Sequence, residues 1–167
     1  MLIGEKFIGS SKCVLILGDN IFIGPGLNKK ITDAINVIDK STIFCVEVES
    51  PEDFGVLNLE NGKPISIEEK PSSPKSNLAV TGLYVYDKFA SSYSKSIKSS
   101  ARGELEITSL NNIYLNKNKL DYVTLDDGDY WYDAGTFESL FEVSSKIKLE
   151  VENNNIISSP EKIALKK

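Results

Sequence analysis

CVLILGDN, Cys13 to Asn20, is a run of five apolar residues that stops at Gly18-Asp19-Asn20. A strand apolar on both faces reads as a central strand covered on both sides by helices. Its end carries the chemistry. In open α/β sheets ligands bind beyond the carboxyl ends of the strands. Asp19 stands there, with Gly18 before it to let a ligand approach the backbone.

Working outward, strand-like and helix-like segments alternate. Gly26 to Asp39 places Leu27, Ile31, Ala34, Ile35 and Ile38 at helical spacing. Ser41 to Val48 (STIFCVEV) is rich in β-branched and aromatic residues. Gly55 to Leu59 and Ile65 to Lys70 flank Asn61-Gly62, a strong hairpin signal. Pro71 to Ser76 is a loop by composition. Leu78 to Tyr86 (LAVTGLYVY) reads as a buried strand, with Gly82 marking a bulge or a close approach by a ligand. Helices are expected over about 89–98 and 104–116, and a strand over 120–125. A last helix is capped by Thr136, with Phe137, Leu140, Phe141, Ile147 and Val151 facing inward. The pattern predicts one α/β domain over residues 1–167. Its Rossmann-like sheet is mixed, mostly parallel and flanked by helices, with the hairpin as its antiparallel part.

Composition narrows the function. The chain has 167 residues, 41% hydrophobic and 26% charged, enough for a globular core. Nineteen Lys and Arg against 24 Asp and Glu give a net charge of −5, which lacks the basic footprint of a nucleic-acid binder. There is no histidine, so His-based triads and His metal ligands are excluded. Cys13 and Cys45 lie in apolar runs and read as reduced, buried thiols of a cytoplasmic protein. No stretch approaches the roughly 20 apolar residues of a membrane span, and no signal peptide is apparent.

Asp133 follows Tyr130-Trp131-Tyr132 and precedes Ala134-Gly135. With Asp19 it supplies the pair of carboxylates that is the usual protein share of a magnesium site. The alternative is that Asp19 starts a turn and Asp133 caps a helix. In Ile65 to Pro71 (ISIEEKP) alternation puts Glu69 on the side of Ile65 and Ile67. A buried carboxylate needs hydrogen bonds, which a hydroxyl-rich ligand could supply, while Lys70 ends the strand where a phosphate could sit. A salt-bridged edge strand with solvated Glu68 and Lys70 fits the same pattern. Arg102 opens a helix at Arg102-Gly103-Glu104, where it and free N–H groups could meet a phosphate; an exposed loop charge is the other reading.

Seven motifs then occur in order: Leu17 to Phe22 (LGDNIF), Pro51 to Val56 (PEDFGV), Glu68 to Pro71 (EEKP), Pro74 to Asn77 (PKSN), Val80 to Tyr84 (VTGLY), Ala101 to Thr108 (ARGELEIT) and Trp131 to Thr136 (WYDAGT). Together they resemble the glucose-1-phosphate thymidylyltransferases, a family of sugar nucleotidyltransferases, over about residues 2–164. The resemblance implies the nucleotide-diphospho-sugar transferase fold. It implies thymidylyl transfer from dTTP to glucose 1-phosphate, giving dTDP-glucose and pyrophosphate for rhamnose and related polysaccharides. Asp19 and Asp133 match the family's magnesium-binding aspartates. Lys70 and Arg102 match its phosphate-contacting basic residues. Gly55, Glu69, Val80 and Tyr84 match positions lining the sugar pocket, and Trp131 matches the aromatic beside the metal aspartate. The intact family implies a homo-oligomer.

The departures are specific. Phe54 stands where tyrosine is usual, and Ala134 where threonine is common. Nothing matches the family's Gly-rich Gly-Thr-Arg-Leu loop, which cradles the triphosphate. The chain therefore reads as the C-terminal part of a catalytic domain, a fragment or split product without the N-terminal nucleotide-binding strands. That leaves the flank of Cys13 to Leu17 open. The alternative function is an inactive module that binds sugar phosphate or metal and needs a partner chain for nucleotide. A structural remnant that binds no ligand is the third.

Overall fold

The structure is a computed structural model that describes residues 1–37, 39–100 and 103–154. Its centre is β6, Leu78–Tyr86, in which all nine residues are buried. β3, Ser41–Glu47, runs antiparallel along one side of it. The other side is shared. β1, Cys13–Ile16, pairs with the C-terminal half, from Cys13 opposite Tyr86 to Ile16 opposite Leu83. β4, Gly55–Glu60, takes the N-terminal part, with Gly55 opposite Val80 and Val56 opposite Ala79. The Leu17 amide still bonds the Gly82 carbonyl at 2.9 Å. The carboxyl end of β1 therefore meets the start of β4 at the middle of β6.

That midpoint is irregular. Ile43 pairs with Tyr84 but Cys45 with Val80, so Thr81, Gly82 and Leu83 of β6 face Phe44 alone. An excess of two residues keeps every side chain on its own face. The Thr81 hydroxyl donates to the Phe44 carbonyl at 2.9 Å in place of a ladder bond. Gly82 marks a bulge, as its place inside an apolar strand predicted.

β5, Lys63–Glu69, pairs antiparallel with β4 and ends the sheet on that side. Their connection is Asn61-Gly62, both at positive φ (51° and 72°), the requirement of a two-residue type I′ hairpin. At the opposite end β7, Leu120–Thr124, lies parallel to β3. The sheet is mixed, as expected, but the balance differs from the expectation of mostly parallel strands. Among the described residues only the β3–β7 pairing of this sheet is parallel, because β6 runs against all three of its neighbours.

Helices cover both faces. α3, Ala90–Ser94, and α4, Ile107–Asn116, pack Ala90, Leu110 and Tyr114 on Ile43, Cys45, Leu57, Ile67, Val80, Tyr84 and Tyr86. α2, Leu27–Asn36, packs Ala34 with Phe44, Leu83 and Val85 on the other face. Burying each large apolar side chain contributes about 1.5–3 kcal/mol. A short helix, α1, spans Glu5–Ile8.

β1 departs from its prediction. Its residues alternate between half-buried and exposed, and Val14 and Ile16 face solvent. Among the described residues it pairs with β6 alone. The covered central strand read from its continuous apolar run is therefore not what the structure has: among the described residues no strand lies on the flank of β1 away from β6.

Two further strands, β2 (Asn20–Ile23) and β8 (Tyr130–Asp133), form a two-stranded sheet. The chain divides along them into two compact units. The first is Met1–Gly18 with Phe22–Trp131, and the second is Asp19–Ile21 with the chain from Tyr132 onward. In the second unit α5, Phe137–Asn154, starts as predicted at Thr136, whose hydroxyl accepts from the Ser139 amide at 3.1 Å. The predicted inward stripe holds only in part, however. Phe137 and Phe141 are 90% and 75% exposed and Leu140 is exposed as well, whereas Ile147 is half-buried and Val143 is the buried position. Helical spacing gives the period of an apolar stripe but not which neighbours cover it. The side chain of Val151 lies outside the described residues. No described helix is long and apolar enough to cross a membrane.

Candidate functional site

In the first unit four residues from four elements converge. The Lys70 amide donates to the Phe54 carbonyl at 3.0 Å, which makes Phe54 and Lys70 a hydrogen-bonded pair. By the alternation of an antiparallel ladder, the next pair, Gly55 opposite Glu69, is the close kind in which side chains crowd. Gly55 resolves the crowding by having no side chain. A Cβ there would lie 3.2 Å from Thr108 Oγ1, 3.4 Å from Glu69 Oε2 and 3.8 Å from Val80 Cβ. Thr108, from the first turn of α4, donates its hydroxyl proton to Glu69 Oε2. The carboxylate is half-buried and held.

Tyr84 joins the same side of the sheet. It is 2% exposed, and its phenol is pushed above its ordinary pKa by burial first, then by the Glu69 carboxylate and by Cys45. A carboxylate acceptor, two neutral hydroxyls, the small Gly55 and the apolar Val80 are thus gathered at one place on this face. Such a set can recognise a polyhydroxylated ligand, because the half-buried carboxylate keeps acceptor capacity beyond its bond from Thr108. Three residues expected at a sugar pocket, Gly55, Glu69 and Val80, do meet. Thr108 was missed. It sits within the quoted Glu106-Ile107-Thr108, but its neighbours were read only for their apolar helical face.

Glu68, the next residue back, points the other way. It accepts from Asn58 Nδ2 at 2.9 Å and pairs with Lys75 at 3.3 Å. The salt-bridged edge strand is therefore also real, with Lys75 rather than Lys70 as the partner. Lys70 is exposed and has a φ of 43°, in the left-handed region that non-glycine residues rarely occupy. Its position immediately before Pro71 adds to the strain. Trp131 is half-buried and meets Phe54 edge to face with ring centroids 5.0 Å apart. Phe54, expected to matter only by a lost hydroxyl, supports this indole. Arg102 lies outside the described residues.

A second network in this unit was not anticipated. Asp129 takes the amide of Gly26 at 3.3 Å and the ammonium of Lys30, which also reaches Asp126 at 2.9 Å. Burial works to lower the Lys30 pKa, but the bonds to the two aspartates outweigh it and hold the ammonium above its ordinary value. A Cβ on Gly24 would lie 2.0 Å from Asp129 Oδ1 and 2.7 Å from its Cα, so only glycine fits this turn.

In the second unit the two predicted acids come together. Asp133 Oδ1 and Asp19 Oδ2 lie 3.0 Å and 3.5 Å from where a Cβ on Gly135 would be. The backbone fixes both. The Ala134 amide donates to the Asp19 carbonyl at 2.7 Å, the Gly135 amide to Asp133 Oδ1 at 3.0 Å, and Asn20 Nδ2 to Asp19 Oδ1 at 2.8 Å. Among the described residues neither carboxylate has an ion pair, and no three His, Cys, Asp or Glu gather. Two exposed oxygen ligands over a space that Gly135 leaves open fit a hard cation drawing its remaining ligands from phosphate and water. They do not fit a closed structural site.

Comparisons with known proteins place the chain in a family and a fold. A family model described as nucleotidyl transferase matches residues 1–150. The chain is 47% identical over 148 residues to a glucose-1-phosphate thymidylyltransferase of Neisseria meningitidis, covering 88% of this chain and 51% of that protein. It is 42% identical to the same enzyme of Mycolicibacterium smegmatis, covering 98% and 57%. The chain thus spans about half the length of the curated relatives it matches. Among solved structures, a Bacillus anthracis protein described as a glucose-1-phosphate thymidylyltransferase, in complex with sucrose, superposes with a TM-score of 0.73 at 43% identity, covering 86% of this chain and 57% of that one. A UDP-glucose pyrophosphorylase complexed with UDP-glucose superposes at 0.78 with 25% identity, covering 89% and 60%.

Proposed function

The chain belongs to the nucleotidyl transferase family, and from that premise we propose that it serves the transfer of a thymidylyl group from dTTP to glucose 1-phosphate, giving dTDP-glucose and pyrophosphate. The observation that carries the reading is the convergence of Gly55, Thr108 and Val80 on the Glu69 carboxylate, one residue from Lys70. Relatives named for glucose 1-phosphate support the choice of sugar, and their thymidylyl names support the base.

In the proposed mechanism Glu69 accepts from sugar hydroxyls and orients the ring, while Tyr84 stays protonated and presents a neutral hydroxyl. Lys70 and Arg102 neutralise phosphate oxygens. A phosphate oxygen of glucose 1-phosphate then attacks the α-phosphorus of dTTP in line, and pyrophosphate leaves. The reaction needs no covalent intermediate and no histidine, only positioning and charge neutralisation. Asp19 and Asp133 would hold a magnesium ion, which when bound supplies positive charge to the phosphate oxygens. The proposed setting is dTDP-sugar supply for rhamnose and cell-surface polysaccharide, in the cytoplasm, with the active form a homo-oligomer.

A second reading is sugar-phosphate binding without turnover, for which the half-buried Glu69 carboxylate and its bond from Thr108 would suffice. The test is transfer of label from α-³²P dTTP to glucose 1-phosphate, with UTP and CTP as competitors. Labelled dTDP-glucose formed with dTTP preferred supports the proposal. Saturable glucose 1-phosphate binding with no labelled product leaves the binding module as the function.

A further inference from the structure

α4 bonds β5 through two polar side chains one turn apart. Thr108 reaches Glu69, as described. Asn112, four residues on and therefore on the same helix face, reaches Ile67. Its Nδ2 donates to the Ile67 carbonyl at 2.9 Å, and its Oδ1 accepts from the Ile67 amide at 3.4 Å. Among the described residues β5 is the last strand of the sheet, so no neighbouring strand satisfies its outer edge. A carboxamide carries donor and acceptor side by side, as a peptide group does. Asn112 thus supplies one rung of a missing strand at Ile67, two residues before Glu69.

The helix that carries this clamp is itself anchored. Leu110 and Tyr114 are 1% and 0% exposed in the core, and Asn111 accepts from the Tyr86 hydroxyl at 2.6 Å. We infer that Asn112 is a positioning residue for the pocket: by pinning the edge of β5 to α4 at Ile67 it holds the Glu69 carboxylate against Thr108 and opposite Gly55. The inference rests on Glu69 being the acceptor for the sugar hydroxyls. Asn112 itself touches no ligand. An unpinned edge lets Glu69 shift by fractions of an ångström, and hydrogen bonds to a charged acceptor are sensitive on that scale.

The experiment is a double-mutant cycle on the 167-residue chain, read by calorimetric titration with glucose 1-phosphate and by hydrogen exchange at the Ile67 amide. Asn112→Ala is expected to weaken binding about tenfold, the value of roughly 1.4 kcal/mol, and to speed Ile67 exchange by a similar factor. In a Glu69→Gln chain the same substitution is expected to cost less than about twofold, because the group it positions is already disabled. Asn112→Asp, which keeps the acceptor and loses the donor, is expected to fall between, and serves if the alanine variant does not fold. Unchanged affinity in Asn112→Ala overturns the inference. So does a tenfold loss that persists undiminished beside Glu69→Gln, which a merely structural role would give. Unchanged Ile67 exchange removes the clamp itself. A wild-type chain that takes up no glucose 1-phosphate overturns the reading of the pocket, and the positioning role falls with it.

Discussion

Replacing Gly55 with alanine separates ligand binding from stability of the fold. The glycine is not at positive φ, so alanine meets no backbone strain. Its methyl would stand 3.2 Å from Thr108 Oγ1 and 3.4 Å from Glu69 Oε2. Both neighbours are ends of side chains and can yield by a few tenths of an ångström, so the unliganded chain should lose less than about 1 kcal/mol. That small shift, however, moves the carboxylate away from the position in which it would accept from a sugar hydroxyl. Loss of one hydrogen bond to a charged group costs about 1.5–3 kcal/mol, a tenfold or greater loss of affinity. A thermal-shift titration reads this directly. With glucose 1-phosphate at about 100 times its wild-type dissociation constant, linkage stabilises the wild type by roughly 2.7 kcal/mol, and a tenfold weaker variant by about half that. At about 2–4 °C per kcal/mol for a domain of this size, ligand should raise the wild-type melting temperature by roughly 5–11 °C and the variant by about half as much. A variant stabilised by ligand as much as the wild type refutes the placement of the sugar hydroxyl at Glu69. A variant several kcal/mol less stable without ligand refutes the argument that Thr108 and Glu69 can yield.

Gly24→Ala should behave oppositely. Its Cβ would overlap Asp129 at 2.0 Å, the backbone must move, and the pair with Lys30 opens. Forcing an overlap of this kind costs about 1–3 kcal/mol or more, which urea unfolding would register as a lowered midpoint. Thr136→Ala removes the α5 cap and should cost about 1 kcal/mol, visible as faster amide exchange in the first turn of that helix. Tyr84, Tyr86 and Tyr114 have phenol pKa values raised chiefly by burial. The folded state therefore binds their protons more tightly than the unfolded state does. Their contribution is fully present below the unfolded value of about 10 and is lost as pH rises above it. In an alkaline titration followed at 295 nm, these three should ionise only together with unfolding.

Much of the fold was legible because local signals were unambiguous. Asn61-Gly62 could only be a tight turn, and Gly82 inside LAVTGLYVY had to relieve something, which proved to be the bulge against Phe44. Strand direction was not legible. Apolar runs such as Cys13 to Leu17 look alike whether they run with or against a neighbour, and whether the second face is covered depends on distant chain. The same limit applies to α5, where Phe137 and Phe141 carry the period of a buried stripe but face solvent. For the site, Asp19 and Asp133 were readable as acids at strand ends, and Glu69 from its alternation with Ile67. Thr108, Asn112 and Asp129 were not, because their roles arise from hydrogen bonds across 39, 45 and 99 residues of sequence. No local pattern encodes such pairings.

The central claim is that these residues serve a nucleotidyl transfer, and pyrophosphate release with magnesium, dTTP and glucose 1-phosphate tests it most directly. Release is expected to require both substrates and to drop at least about a hundredfold in Asp19→Asn and Asp133→Asn, since each weakens the hold on the cation that would neutralise charge in the transition state. Release that persists undiminished in both variants, with both folded, would contradict it.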